Sequence, residues 1–253
     1  MNMEYPRPPR SRGIYLLPNL FTVSALFFGF YAVIAAIKGN FEHACIAVFI
    51  AMIMDALDGR VARLTHTQTA FGAELDSLSD MVSFGVAPAV IAYTWGLSDL
   101  GKAGWLVAFI YTTAVALRLA RFNVETSVAD KRYFKGLPSP AAAWVAVSLI
   151  WSLHQYDLST FGTKIVTAVI MVLVGGFMVS NIPYYSFKSF DFKNKIPYVA
   201  LLVIVLVFVL VSADPPLVLF LVSLSFAGYA PILWLIRRFP RRLRCWRRGK
   251  KEP

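Results

Sequence analysis

The sequence predicts an all-α integral membrane protein with about eight transmembrane helices and no large soluble domain. Of its 253 residues, 58% are hydrophobic and only 15% are charged, whereas soluble domains are about 45–50% apolar and about 25% charged. The apolar residues also occur in long runs separated by Gly, Pro, Asn or charged residues. Because a helix needs about 20 residues to cross a bilayer, the chain has room for about eight spans joined by short loops.

Eight apolar runs define the predicted helices, and each is long enough to cross all or most of a bilayer. The first run follows three arginines but is too long for the apolar region of a signal peptide, so we assign it as the first transmembrane helix. In order along the chain, the runs cover residues 16–37, 43–64, 72–95, 103–122, 139–156, 162–180, 197–213 and 216–236.

The lysines and arginines are distributed very unequally between the two sides of this arrangement. Of the 25 basic residues, 22 lie in the terminal segments, loops and helix ends on one side, and only Lys38, Lys102 and Lys164 lie on the opposite side. Because cytoplasmic segments carry the positive excess, both termini are predicted to be cytoplasmic. We therefore interpret the net charge of +11 as a sign of topology and of contact with membrane lipids, and we expect no nucleic-acid partner.

Four aspartates are predicted at the cytoplasmic ends of the second and third helices, where an unpaired charge is costly. Asp55 and Asp58 are three residues apart and Asp76 and Asp80 are four apart, so each pair lies on one face of its helix. The carboxylates repel one another, and hard divalent cations such as Mg²⁺, Mn²⁺ or Ca²⁺ relieve this repulsion. Salt bridges to nearby arginines are the alternative, but the few arginines available would leave acidic charge unpaired.

A cation transporter is an alternative from a different functional class, because acids inside a membrane can also line an ion pathway. A transporter is expected to distribute its acids through the depth of the membrane and to contain inverted repeats with broken helices. This sequence instead groups four acids at one end and shows no evident repeat. We therefore favour an enzyme that uses divalent cations.

Eight residues between Asp55 and Asp80 form the pattern Asp-x2-Asp-Gly-x2-Ala-Arg-x8-Gly-x3-Asp-x3-Asp. This pattern resembles the signature of the CDP-alcohol phosphotransferase family at every fixed position. The resemblance implies a phospholipid-synthesising transferase with a six-helix membrane core and a homodimeric assembly. Such an enzyme is expected in the cytoplasmic (inner) membrane, with its active site on the cytoplasmic side.

The family's six-helix core divides the predicted chain into four parts. They are a cytoplasmic N-terminal segment (1–15), the core (16–195), two additional transmembrane helices (196–236) and a basic cytoplasmic tail (237–253).

The resemblance also assigns roles to individual residues. Asp55, Asp58, Asp76 and Asp80 would hold two divalent ions, Mg²⁺ or Mn²⁺, and Asp80 would also act as the general base. Metals can neutralise charge on the pyrophosphate and the departing CMP, while a carboxylate accepts the proton of an attacking hydroxyl. The residues implied to contact the CDP group are Asn19, Thr22, Gly59, Ala62, Arg63, Thr69 and Gly72.

Three stretches, residues 76–89, 120–123 and 134–140, resemble the family members that use serine as the acceptor alcohol. They imply transfer of the phosphatidyl group from CDP-diacylglycerol to the hydroxyl of L-serine, giving phosphatidylserine and CMP. Glycerol 3-phosphate and inositol phosphate are the alternative acceptors. Serine carries a carboxylate and an ammonium, so its pocket should offer a cation and a hydrogen-bond acceptor. The candidates are Ser83, Arg118, Arg121, Asn123 and Lys135.

Overall fold

The computed structural model describes residues 13–65, 67, 69–125, 133–185 and 198–248. Within these residues the chain forms eight helical segments, one for each apolar run, which confirms the predicted all-α membrane fold. The helices are α1 (Gly13–Ile37), α2 (Phe41–Thr65), α3 (Ala70–Asp80), α4 (Ala87–Trp95), α5 (Lys102–Glu125), α6 (Ser139–Gln155), α7 (Phe161–Val179), α8 (Tyr198–Ala213) and α9 (Pro215–Arg248). The third segment contains two α-helices, α3 and α4, and each of the others contains one. Most of the predicted N-terminal segment and the end of the predicted tail lie outside the described residues.

Two helices differ in detail from the sequence-based expectation. The third apolar run is one continuous helical segment, but a π-turn (Met81–Val86) separates α3 from α4. The last helix does not end with its apolar run at residue 236 but continues to Arg248, through a segment rich in arginine, which has a high helix propensity.

In the part of the chain that the structure describes, five helical segments are long and apolar enough to cross a membrane, which indicates an integral membrane protein. They are Leu17–Ile37, Ala70–Trp95, Lys102–Val124, Phe161–Val179 and Pro215–Trp234. The acids and bases of α2 lower its hydropathy, and α6 and α8 have only 17 and 16 residues. The total of eight spans therefore stays a prediction.

Two short strands, which the sequence did not predict, join the loops before α6 and after α7. β1 (Tyr133–Lys135) pairs antiparallel with β2 (Pro183–Tyr185), and Phe134 lies opposite Tyr184. Each strand has only three residues, too few to show an alternating pattern. Gly136 follows β1 with φ +83°, and an added Cβ would lie 2.2 Å from the carbonyl oxygen of Met178. Only glycine fits this close contact between the two loops.

Small residues dominate the packing of α1 against α2. Ala32, Ala36, Ala44 and Ala47 are all almost completely buried, and small side chains of this kind let helices approach closely in a membrane. This pairing brings the polar ends of α1 and α2 together beside the first turn of α3. On the other side of the bundle, α9 packs against α6, and the hydroxyls of Ser148 and Ser223 lie 3.3 Å apart.

Candidate active site

Three of the four predicted metal-binding aspartates form a compact group. Asp55 on α2 and Asp76 and Asp80 on α3 each offer a carboxylate oxygen, and these oxygens lie within 4.8 Å of one another. All three side chains are partly buried, so water cannot fully screen their repulsion. A donor set made only of carboxylate oxygens fits a hard divalent cation rather than a soft metal.

Asp58 is not part of this group but lies on the side of α2 that faces α1. Its residue is 5% exposed, and its Oδ2 accepts a hydrogen bond from Thr22 Oγ1 at 2.7 Å. The Thr22 hydroxyl is also 3.2 Å from the carbonyl oxygen of Pro18. The contact connects one of the signature acids directly to the first helix.

A cavity of about 270 Å³ lies between α1, α2 and α3, next to the acid group. All seven residues predicted to contact the CDP group line it. Asp58 and Asp76 also line it, so Asp76 belongs both to the cavity and to the acid group. Among the described residues, the lining consists of Pro18, Asn19, Thr22, Asp58, Gly59, Ala62, Arg63, Thr67, Thr69, Gly72, Ala73 and Asp76.

Gly72 permits a close approach between α1 and the start of α3. Thr69 caps this helix, and its Oγ1 accepts the Gly72 N–H at 3.0 Å. An added Cβ on Gly72 would lie 3.1 Å from Thr69 Oγ1 and 3.4 Å from Asn19 Oδ1. A larger residue would therefore push Asn19 or Thr69 away from its place in the cavity wall.

Gly59 has a similar relationship with Arg63, one helical turn further along α2. An added Cβ on Gly59 would lie 3.4 Å from Arg63 Nη1, so the guanidinium folds back over the glycine. This conformation brings a positive charge to the lining of the cavity, which also contains Asp58 and Asp76. The cavity thus combines a cation with backbone that a flat ligand can approach closely.

Thr67 is a cavity residue that sequence reasoning missed. It is 5% exposed, its hydroxyl lies 2.7 Å from that of Thr65, and its N–H donates to the Ala62 carbonyl oxygen at 3.1 Å. The family signature treats the turn between Arg63 and Gly72 as variable. The only hint in the sequence is the alternation of Thr65, Thr67 and Thr69.

Arg118 is a predicted acceptor-binding residue that the fold brings near the acid group. Its guanidinium lies within electrostatic reach of Asp80 and Asp55. Nη1 donates to Ser139 Oγ at 2.7 Å, while Nε is buried and has no hydrogen-bond partner among the described residues. Ser139, which sequence reasoning did not select, therefore fixes one side of the guanidinium.

Two other predicted acceptor-binding residues connect α5 to its neighbours. Arg121 Nη2 donates to Asn181 Oδ1 at 2.6 Å, beyond the end of α7. Asn123 Nδ2 donates to Ser77 Oγ on α3 at 3.0 Å. The Asn123 contact holds the end of α5 beside the acid-bearing helix α3, and the Arg121 contact joins it to the segment after α7.

Ser83 lies outside the cavity lining. Ser83 is fully buried, and its hydroxyl donates to the Ala25 carbonyl oxygen at 3.0 Å, so it packs the π-turn against α1. Lys135 is the last residue of β1, with Pro183 opposite it.

Comparison with known proteins agrees with this arrangement. The sequence model of one family, described as CDP-alcohol phosphatidyltransferase, matches residues 15–206. The chain belongs to this family. Members of the CDP-alcohol phosphatidyltransferase family use divalent metals, which agrees with the three-carboxylate group found here. The family predicted from the signature is thus confirmed.

Three curated relatives are similar over most of the chain. A CDP-diacylglycerol–serine O-phosphatidyltransferase from Helicobacter pylori is 41% identical over 196 residues, covering 78% of this chain and 83% of that protein. A protein of the same name from Mycobacterium leprae is 29% identical over 234 residues, covering 89% of this chain and 77% of that protein. An archaetidylserine synthase from Methanothermobacter thermautotrophicus is 37% identical over 170 residues, covering 66% of this chain and 69% of that protein.

Proposed function

We propose that this protein transfers the phosphatidyl group of CDP-diacylglycerol to the hydroxyl of L-serine, giving phosphatidylserine and CMP. The observation that carries the proposal is the position of Asp76, which both lines the cavity and belongs to the acid group. A ligand bound in the cavity therefore places its phosphates next to the carboxylates. The names of the curated relatives support serine as the acceptor.

The cavity lining is suited to the CDP group. Gly59 and Gly72 leave space for a flat base and a sugar to approach the backbone. Asn19, Thr22 and Thr69 offer polar groups for hydrogen bonds, and Arg63 offers a positive charge for a phosphate. The lipid chains of the substrate remain in the membrane beside the helices.

Asp55, Asp76 and Asp80 would hold a divalent cation, and Asp58 would supply a further carboxylate from the cavity side. We propose Mg²⁺ or Mn²⁺ because carboxylate oxygens suit these hard cations. We propose two ions per active site because two divalent cations balance four carboxylates. Bound divalent cations neutralise negative charge on the pyrophosphate and on the departing CMP.

Asp80 would act as the general base. In the proposed reaction the serine hydroxyl oxygen forms a bond to the phosphorus that carries diacylglycerol, and the bond from that phosphorus to the CMP oxygen breaks. The hydroxyl proton passes to the Asp80 carboxylate, and CMP leaves with the electron pair. Direct displacement of this kind needs the acceptor to lie between Asp80 and the phosphate.

Arg118 is the best candidate to bind the serine carboxylate. Ser139 holds the guanidinium from one side, and the buried Nε still needs an acceptor. A buried donor without a partner is costly, and a carboxylate would satisfy it with a strong charge-assisted hydrogen bond. In this proposal Arg121 and Asn123 orient the end of α5.

The membrane orientation is part of the same proposal. We place the enzyme in the cytoplasmic (inner) membrane with both termini and the active site on the cytoplasmic side, because 22 of the 25 basic residues fall on that side in an eight-span topology. Serine and CMP are water-soluble, so a site at that surface gives them direct access. We also propose a homodimer, as the family resemblance implies.

The test is release of CMP by the purified full-length protein in detergent. CDP-diacylglycerol and Mn²⁺ or Mg²⁺ are supplied with serine, glycerol 3-phosphate or inositol phosphate in turn. We expect CMP and phosphatidylserine with serine alone. No CMP with any acceptor would contradict an enzymatic function, and release only with another acceptor would contradict the assignment of serine.

A further inference from the structure

A π-turn begins directly after Asp80. Within it the Ala87 N–H bonds to the Val82 carbonyl oxygen, five residues back instead of four. Pro88 gives the physical reason, because proline has no N–H and its ring collides with the carbonyl four residues earlier, that of Phe84. π-turns are rare and are found frequently at functional sites.

Pro88 has no N–H and so cannot donate a hydrogen bond to the Phe84 carbonyl oxygen. Tyr111 on α5 donates one instead. Its hydroxyl donates to the Phe84 carbonyl oxygen at 3.0 Å, and both side chains are fully buried. At Gly85 an added Cβ would lie 3.3 Å from Val115 Cγ1, so α5 packs tightly against the turn. If the Tyr111 hydroxyl were removed, water could not easily reach this buried site to donate to the Phe84 carbonyl oxygen.

The π-turn sets the direction of Asp80 relative to α4. Ala87, Ile91 and Ala92 are fully buried, so α4 has a fixed orientation in the core. Successive residues of an α-helix are rotated by about 100° around its axis. If the π-turn relaxed to an α-helical turn while α4 stayed in place, Asp80 would rotate by roughly that angle and leave the acid group.

Helix α1 holds the same segment from the opposite side. The Ser83 hydroxyl donates to the Ala25 carbonyl oxygen at 3.0 Å, and the Ser79 hydroxyl donates to the Thr22 carbonyl oxygen at 3.1 Å. An added Cβ on Gly29 would lie 2.3 Å from Ser83 Oγ. The π-turn is therefore clamped between α1 and α5, and Tyr111 provides the polar contact from α5.

We propose that Tyr111 is a positioning residue for Asp80. By bonding the Phe84 carbonyl oxygen it maintains the π-turn, and the π-turn directs Asp80 toward Asp55 and Asp76. The proposal rests on the function proposed for Asp80, but Tyr111 itself lies outside the cavity lining. Its effect is expected on the rate of the reaction and on cation affinity, with little effect on nucleotide binding.

Tyr111→Phe tests the proposal because it removes one hydroxyl and retains the ring. We expect kcat to fall about 10- to 100-fold, since small misplacements of reacting groups have effects of this size. KM for CDP-diacylglycerol should change less than about twofold, because the cavity residues are untouched. The dissociation constant for Mn²⁺, measured by electron paramagnetic resonance without substrate, should rise about tenfold, as for loss of other groups that orient ligands.

Tyr184→Phe is the matched control. Tyr184 is 2% exposed, and its hydroxyl donates to a helix carbonyl oxygen, that of Ala227, at 3.1 Å. The substitution thus removes the same kind of buried hydrogen bond, on the side of the bundle where α9 packs. We expect a similar loss of thermal stability in the two variants, with unchanged kcat and Mn²⁺ affinity in Tyr184→Phe.

Pro88→Ala is a second variant that does not depend on the folding of Tyr111→Phe. It gives residue 88 an N–H and removes the ring that disfavours an α-helical turn, so we expect lower kcat and weaker Mn²⁺ binding without loss of thermal stability. Wild-type kcat and Mn²⁺ affinity in Tyr111→Phe, or in Pro88→Ala, would overturn the proposal. Failure of the proposed function would look different: the wild-type protein would release no CMP with serine, while its Mn²⁺ affinity could still be compared with that of the variants.

Discussion

Thr22 on α1 donates a hydrogen bond of 2.7 Å to Asp58 on α2, inside the cavity that contains the predicted nucleotide contacts. The two residues are 36 positions apart and belong to two separate sequence elements. Their contact joins the first helix to the aspartate signature in one site. It also predicts that the Thr22 hydroxyl controls the orientation of Asp58.

Thr22→Val should therefore weaken use of CDP-diacylglycerol. A hydrogen bond to a charged group contributes about 1.5–3 kcal/mol, so we expect kcat/KM for this substrate to fall about 10- to 100-fold. Thr22→Ser retains the hydroxyl and should stay close to wild type. Ser24→Ala is the control in the same helix, because the Ser24 hydroxyl donates to the Leu20 carbonyl oxygen of α1 itself. Equal activity of Thr22→Val and Ser24→Ala would refute the role of Thr22.

The acid group predicts an order of effects on cation binding. Asp55→Asn and Asp80→Asn each remove charge from the group of three, whereas Asp58→Asn changes a residue outside it. We expect Mn²⁺ affinity to fall about 10- to 100-fold in the first two variants, and less in the third. Asp80→Asn should also abolish turnover while its thermal unfolding stays close to that of wild type. Measurable turnover at the wild-type rate would exclude Asp80 as the base.

Much of the nucleotide site could be predicted because its residues follow local rules. Ala62 and Arg63 follow Gly59 by three and four residues, about one turn of the same helix, so their spacing alone places them on one side of it. Thr69 and Gly72 lie at the start of the next helix, where the cap geometry is also local. The fold class followed from the apolar runs in the same way.

The features that could not be predicted depend on contacts between distant parts of the chain. Pro88 is visible in the sequence, but the π-turn also needs Tyr111, which lies 27 residues from the carbonyl that it bonds. Ser139 acquires its role only because α6 places it next to Arg118. Nothing local to residue 139 distinguishes it from an ordinary serine at the start of a helix.

Arg118→Lys should affect serine more strongly than CDP-diacylglycerol. Lysine keeps the positive charge but lacks the planar guanidinium group. In Arg118 this group donates from Nη1 to Ser139 and leaves Nε to bind the carboxylate of serine. We expect KM for serine to rise about tenfold or more and KM for CDP-diacylglycerol to change little. Arg121→Lys is the matched control, because Arg121 contacts Asn181 beyond the end of α7. A serine KM that rises equally in both variants would contradict a specific role for Arg118.

Gly72→Ala should weaken nucleotide binding through a single methyl group. The added Cβ would lie 3.1 Å from Thr69 Oγ1 and 3.4 Å from Asn19 Oδ1, so the cap or the cavity wall must shift. We expect KM for CDP-diacylglycerol to rise about 5- to 20-fold, which corresponds to about 1–2 kcal/mol of overpacking. Gly176→Ala is the control, because an added Cβ there meets nothing within 4 Å. Alanine also favours a helix over glycine, so this control should keep wild-type kinetics and gain slightly in thermal stability. If Gly72→Ala binds CDP-diacylglycerol as well as Gly176→Ala does, nucleotide binding does not depend on the close approach of Asn19 to α3.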